Sequence, residues 1–171
     1  ILGIFGSRER DIALPALGSI GGVNAKRHDT ELFYAFTSFT YPTTIYRYDP
    51  ASGGSTVFKR PSVKFDPSDY DVTQVFYSSK DGTKIPMFLV GRKGLPRDGQ
   101  AATLLYGYGG FDISLTPAFS PAIIGWLEMG GLYAQPNLRG GGEYGKAWHN
   151  AGRLANKQNV FGDFIAAAEY L

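Results

Sequence analysis

The sequence predicts an α/β fold in two parts, antiparallel strands first and an α/β sheet after them. Three observations carry the prediction. The stretches "ELFYAFTSF" and "TTIYRYD" are rich in aromatic and β-branched residues and are joined by a Pro turn. An Asp-Gly dipeptide, Asp81 and Gly82, sits between two apolar runs in "VTQVFYSSKDGTKIPMFLVGR". Beyond it the order hairpin, strand, helix, strand, helix is the pattern of an α/β sheet.

In the first part, Leu32, Tyr34 and Phe36 point to one side and Phe33, Ala35 and Thr37 to the other, the period of a strand. "TYPT" supplies the turn, and "PASGGSTVFK" reads as a second turn at Gly53 and Gly54 followed by one more short strand. Strands this short and this closely spaced suit an antiparallel module such as a propeller blade or a sandwich edge. "RPSVKFDPSDYD", Arg60 to Asp71, has two prolines and no period, and is the predicted linker.

The second part opens with the hairpin, where Gly82 can take the positive φ that the turn needs. After a loop from Gly91 to Gln100, "AATLLYGYGGF" gives a short apolar run suited to a buried strand. "PAIIGWLEMGG" reads as a short helix stopped by Gly130 and Gly131, and "LYAQPNLRGGGEYG" as a strand entering a glycine loop. In "NVFGDFIAAAEYL", Phe161, Phe164, Ile165, Ala168 and Leu171 fall at helical spacing, with Asn159 as the predicted N-cap.

Composition narrows the function. Of 171 residues, 43% are hydrophobic and 19% charged, which is globular material. Seventeen basic residues against fifteen acidic ones, scattered along the chain, give +2 and do not recommend nucleic acid as a partner. With no Cys, disulfides, thiolate metal sites and a cysteine nucleophile are excluded. No apolar run is long enough to span a membrane, and "ILGIFGSRER" lacks a signal's basic lead and apolar core. Ile1 at the start and Leu171 within a helical pattern read as cut ends.

Several loops could carry chemistry. Gly107, Gly109 and Gly110, followed by Phe111 and Asp112, break the G-x-G-x-x-G spacing, and Ala147 after Lys146 breaks the P-loop pattern, so no nucleotide cofactor is expected. His28 and His149 lie far apart without metal-ligand spacing, so no metal is expected either, and His149 reads as a structural hydrogen-bonder or surface residue. Neither "LGSIGG" nor "ASGGST" is the G-x-S-x-G elbow of a serine hydrolase. Two readings of "YGYGGF" stay open on residue chemistry alone. One is a strand exit with glycine turns. The other is an oxyanion loop in which a tyrosine hydroxyl donates to developing negative charge.

Together, "SKDGTKIPMFLV", "LLYGYGGFDISLTPAFS", "NLRGGGEYGKAWH" and "LANKQNVFGDF" closely resemble the prolyl oligopeptidase family of serine peptidases, and "DTELFYAFTSFTYPTTIY" resembles the end of that family's β-propeller. The resemblance implies a partial α/β-hydrolase domain at 61–171, preceded at 1–60 by antiparallel strands from the C-terminal part of a β-propeller. It implies a serine endopeptidase, cytoplasmic and monomeric at full length, that cleaves short proline-containing peptides on the carboxyl side of proline without a cofactor, nucleic acid or membrane. By the family's pattern Tyr108 donates to the oxyanion and Phe111 lines the pocket for the proline ring, while the Ser, Asp and His of the triad lie beyond Leu171. This chain alone is therefore expected to be inactive. His149 precedes the nucleophile's place in the chain order and is not the triad base. Arg139 and Glu143 are candidates for an ion pair bracing the glycine loop or for solvated side chains, with a structural role favoured for both. "RGGGE" also resembles a basic-residue-specific oligopeptidase, but an aromatic Phe111 suits a proline pocket better. The alternatives are a peptide macrocyclase on the same scaffold and a non-catalytic homologue that binds peptides or a partner.

Overall fold

The computed structural model describes Ser7 and residues 10–171. Most of "ILGIFGSRER", read above as lacking a signal, lies outside the described residues. The chain divides into two compact units. One runs to Phe65 and takes in Pro117–Ser120; the other comprises Asp66–Thr116 and Pro121–Leu171.

Among the described residues the first unit is a four-stranded antiparallel meander, β1 (Ser19–Asn24), β2 (Leu32–Thr37), β3 (Thr44–Asp49) and β4 (Gly54–Lys59), in sequential order. Tyr34 opposes Tyr46 across β2 and β3, their rings stacked with centroids 5.2 Å apart. With Phe36 and Tyr48 they form the unit's core. Burial and the hydroxyl of Tyr41 push the Tyr46 phenol's pKa well above its ordinary value. Strand β1 has no counterpart in the sequence reading, because Gly21 and Gly22 erase its alternation and a bulge between Gly21 and Val23 shifts its register. Residues of Pro117–Ser120 join this unit through the Phe119 N–H, which donates to Thr37 Oγ1 at 3.2 Å, and through the Phe119 ring, which stacks on Phe65.

In the second unit a single 3₁₀ turn, Pro67–Asp69, leads into β5 (Tyr70–Ser78), so the last two residues of the predicted linker are already strand. Strands β5 and β6 (Lys84–Arg92) form the predicted hairpin, with Gly82 at φ 82° and its N–H bonded to Ser79 O. The sheet order is β5-β6-β8-β7, where β7 is Thr103–Leu105 and β8 is Leu132–Pro136. Strand β8 is antiparallel to β6 and parallel to β7. Strand β6, flanked on both sides, is buried from Ile85 to Gly91. Its Pro86, which has no N–H, stands just outside the β6–β8 ladder, which ends at Met87 opposite Pro136.

The run expected as a buried strand is instead three residues at the sheet's edge. Leu104 is 44% exposed, because β7 pairs only with β8. Helix α1 (Pro121–Glu128) connects β7 to β8, with Pro at its first position and Gly130 at φ 89° after its end. Helix α2 (Gly145–Asn150) interrupts the glycine loop, and a 3₁₀ turn, Leu154–Asn156, runs directly into helix α3 (Lys157–Tyr170). Helix α3 thus begins two residues before the predicted cap. Asn156 holds the cap position, and Asn159 instead donates from its side chain to Ala151 O.

The predicted apolar face of α3 is also rotated. Phe161 and Ile165 are 51% and 58% exposed, whereas Val160, Asp163 and Ala167 are buried. A carboxylate on the inner face defeats any assignment from hydrophobic periodicity. Its presence is explained by Arg139, which meets Asp163 there. The unit's core joins Tyr77, Ile85, Met87 and Leu89 of the hairpin to Ala134 and Ala167.

Candidate active-site loop

Strand β7 leads into the segment 106–115. The Tyr106 N–H continues the ladder to Ala134 O at 2.9 Å, after which the backbone turns away from the sheet. Gly109 makes that turn at φ 60°. A Cβ there would meet Val160 Cγ1 at 2.5 Å and Leu138 Cβ at 2.8 Å, so only glycine fits between β8's exit and α3. The Ile113 N–H then donates to Gly110 O at 3.1 Å, closing a β-turn around Phe111 and Asp112, whose φ values are 54° and 58°. Positive φ at both central residues is the signature of a type I′ turn, which Asp tolerates and Phe does not favour. The result is a Phe side chain 82% exposed, beside a Tyr108 that is 44% exposed, with ring centroids 6.4 Å apart. The structure thus places the two sequence-predicted site residues side by side on one surface.

The loop is tied from several sides. Asp112 N–H donates to Gly140 O at 3.2 Å, and His149 Nδ1 lies 2.7 Å from the same carbonyl, to which it donates as the Nδ1–H tautomer. Glu143 Oε1 accepts from Leu115 N at 2.9 Å and from Asn137 Nδ2 at 3.1 Å. Glu143 therefore braces the loop by hydrogen bonds, and Arg139, its candidate ion-pair partner, pairs with Asp81 and Asp163. The Lys157 ammonium donates to Gly109 O at 2.7 Å. Gly110, Phe111, His149, Arg153, Leu154 and Lys157 border a cavity of about 510 Å³. Sequence reasoning assigned no role to Lys157 or Leu154, although both lie within "LANKQNVFGDF". Their positions depend on a tertiary contact that no local pattern announces.

Arg139 turns inward instead. Its Nε and Nη2 donate to Asp163 at 2.9 and 2.6 Å, its backbone N–H donates to the same carboxylate, and Nη1 reaches Asp81 Oδ2 at 2.5 Å. Ser79 Oγ completes the cage around Asp163. The Arg139 guanidinium holds the Asp81 carboxyl down to about 2, with a hydrogen bond from Thr83 helping. Burial raises the Tyr133 phenol to about 12. Among the described residues no group of three or more His, Asp or Glu is placed to hold a metal, and no helix is long and apolar enough to cross a membrane.

Residues 5–61 match the family described as prolyl oligopeptidase, N-terminal beta-propeller domain, and residues 117–171 match the prolyl oligopeptidase family. The chain belongs to the prolyl oligopeptidase family. The meander is made of strands of that family's β-propeller, and the mixed sheet is a partial α/β-hydrolase region. The chain is 54% identical over 166 residues to a prolyl endopeptidase of Elizabethkingia miricola, covering 97% of this chain and 24% of that one. A structure from an analysis of two prolyl endopeptidases is similar with a TM-score of 0.90 at 52% identity, over 98% of this chain and 25% of that one. Prolyl oligopeptidase B from Galerina marginata, bound to a 35mer hydrolysis and macrocyclization substrate, is similar with a TM-score of 0.91 at 41% identity, over 99% and 24%. The chain therefore spans about a quarter of the length of these prolyl oligopeptidase relatives. The Tyr108–Phe111 loop lies between the two family matches.

Proposed function

We propose that a full-length protein carrying this chain is a serine endopeptidase that cleaves short peptides on the carboxyl side of proline. The first unit supplies propeller strands and the second the start of the catalytic domain. In this reading the Tyr108 hydroxyl donates to the oxyanion as the acyl-enzyme forms and again as it breaks down, and the Phe111 ring packs against the pyrrolidine ring. The observation that carries the reading is the pairing of an accessible phenol with an 82%-exposed Phe, held in a positive-φ turn at the end of a hydrolase-sheet strand. A phenol can stabilise developing charge and a flat apolar face suits a compact ring. The chain itself contains no G-x-S-x-G elbow and by itself forms no acyl-enzyme.

Likeness to a protein that is named for both hydrolysis and macrocyclization favours one further outcome: an amine in place of water resolving the acyl-enzyme. The test is product mapping. Linear peptides of varied sequence, treated with the full-length protein and read by mass spectrometry, should yield fragments ending in proline. Cyclic products would move the assignment to a macrocyclase, and cleavage after basic residues would sink the proline reading. Peptide binding without any bond cleaved would instead support a non-catalytic homologue.

A further inference from the structure

Of the side chains that tie the loop carrying Tyr108 and Phe111, Lys157 binds next to Tyr108 itself. Lys157, the first residue of α3, donates from Nζ to Gly109 O at 2.7 Å, and its ammonium lies 5.9 Å from the centroid of the Phe161 ring. The acceptor belongs to the residue directly after Tyr108. It is also the loop's tightest point, since Gly109 is buried and has no room for a side chain. None of the described ion pairs uses Lys157.

Backbone strain collects around the same bond. Among the described residues the non-glycine positions with left-handed φ are Phe111, Asp112 and Leu154. Two directly follow the Gly109–Gly110 peptide, and the third lies three residues before Lys157. Phe111 and Leu154, each 82% exposed, border the same cavity as Lys157. Strained conformations of this kind persist only where neighbouring contacts over-determine them. A charge-assisted bond from an ammonium to a backbone carbonyl is among the stronger ties available for that purpose.

We infer that Lys157 is a positioning residue: its ammonium fixes the Gly109–Gly110 peptide and so holds Tyr108 and Phe111 in their working places. The inference rests on the proposed role of Tyr108. Removing the tie lets both side chains drift, which weakens oxyanion stabilisation and proline selection together.

The test uses the full-length protein and two fluorogenic peptides, one with Pro and one with Ala before the scissile bond. Lys157→Ala, Lys157→Gln, Lys157→Arg and Tyr108→Phe are compared with the parent, with rates expressed per titrated active site. A misplacement of about 1 Å can lower a rate on the order of 100-fold. Lys157→Ala should accordingly lower kcat about 10- to 100-fold and shrink the Pro/Ala preference, whatever the shift in the unfolding midpoint. Lys157→Arg should restore most of both. Lys157→Gln, a neutral donor, should fall between, and it decides the matter if Lys157→Ala does not fold. A purely structural role would lower the unfolding midpoint and leave the rate per active site and the Pro/Ala ratio untouched. If Tyr108→Phe is impaired while Lys157→Ala and Lys157→Gln keep parental values, this inference is overturned and the reading of Tyr108 stands. If Tyr108→Phe is itself unimpaired, both fall.

Discussion

Phe111 adopts a conformation that aromatic residues avoid, and the strain is local. A left-handed non-glycine residue costs on the order of 1–3 kcal/mol, while a glycine introduced there loses about 0.5–1 kcal/mol through greater freedom of the unfolded chain. With 82% of the residue exposed, little packing is lost on truncation. Phe111→Gly is therefore expected to stabilise the protein by up to about 1–2 kcal/mol in denaturant titration while raising KM for peptides with Pro before the scissile bond. A destabilised variant with unchanged KM would contradict both halves of the argument. Tyr108 and Phe111 were legible as candidates because they stand in a long stretch that resembles the family. Their turn was not, since "GFDI" carries no Asn-Gly or Asp-Gly signal and its positive φ values depend on Gly140 accepting from Asp112. Lys157 was illegible for the same reason: its partner is a carbonyl 48 residues away.

Helix α3 shows what a buried charge does to an element. Asp163 is fully buried and receives Arg139 from side chain and backbone as well as Ser79, so three segments meet at one carboxylate. Breaking a buried pair by removing one partner costs about 3–5 kcal/mol because the other charge is left uncompensated. Asp163→Asn should lose stability on that scale in chemical denaturation, and replacing Arg139 and Asp163 together by apolar residues should recover part of it. A loss below about 1 kcal/mol for the single variant would show the cage to be dispensable.

Asp81, the outer carboxylate, adds a pH dependence. Its folded pKa, about 2, lies below the unfolded value of about 3.9, so its contribution is present above about pH 4 and fades as pH falls through 2. Because Asp81 is half exposed, the effect is modest. The expected result is that Asp81→Asn narrows the difference between unfolding midpoints measured at pH 5 and pH 2.5. An unchanged difference would remove Asp81 from the acid response. For α3 the sequence showed a helix but not which way it faces, because periodicity scores the inward Asp163 as an outward residue.

At the scale of the molecule, the two-part organisation was legible from local signals: alternation in β2 and β3, the Asp-Gly hairpin, and helix-strand order in the second half. Strand β1 was not, because a glycine pair carries no alternation. Nor was the edge position of β7, which pairing decides and composition does not. Both units leave apolar side chains in solvent, among them Val23, Val57 and Phe58 in one and Leu104 in the other. Unpaired edges with exposed apolar groups favour self-association. The isolated 171-residue polypeptide is therefore expected to associate at micromolar concentration in sedimentation velocity and to resist labelling by a serine-reactive probe. A cooperative, monomeric species would count against the first expectation, and stoichiometric labelling against the second.

In the proposed mechanism the Tyr108 hydroxyl stabilises an oxyanion. Tyr108→Phe in the full-length protein, assayed on a peptide with Pro before the scissile bond, tests it most directly. Loss of one oxyanion donor should lower kcat by about 10²–10³-fold, with KM within about twofold of the parent, since the bond is made in the transition state. A Tyr108→Phe enzyme with parental kcat would contradict it.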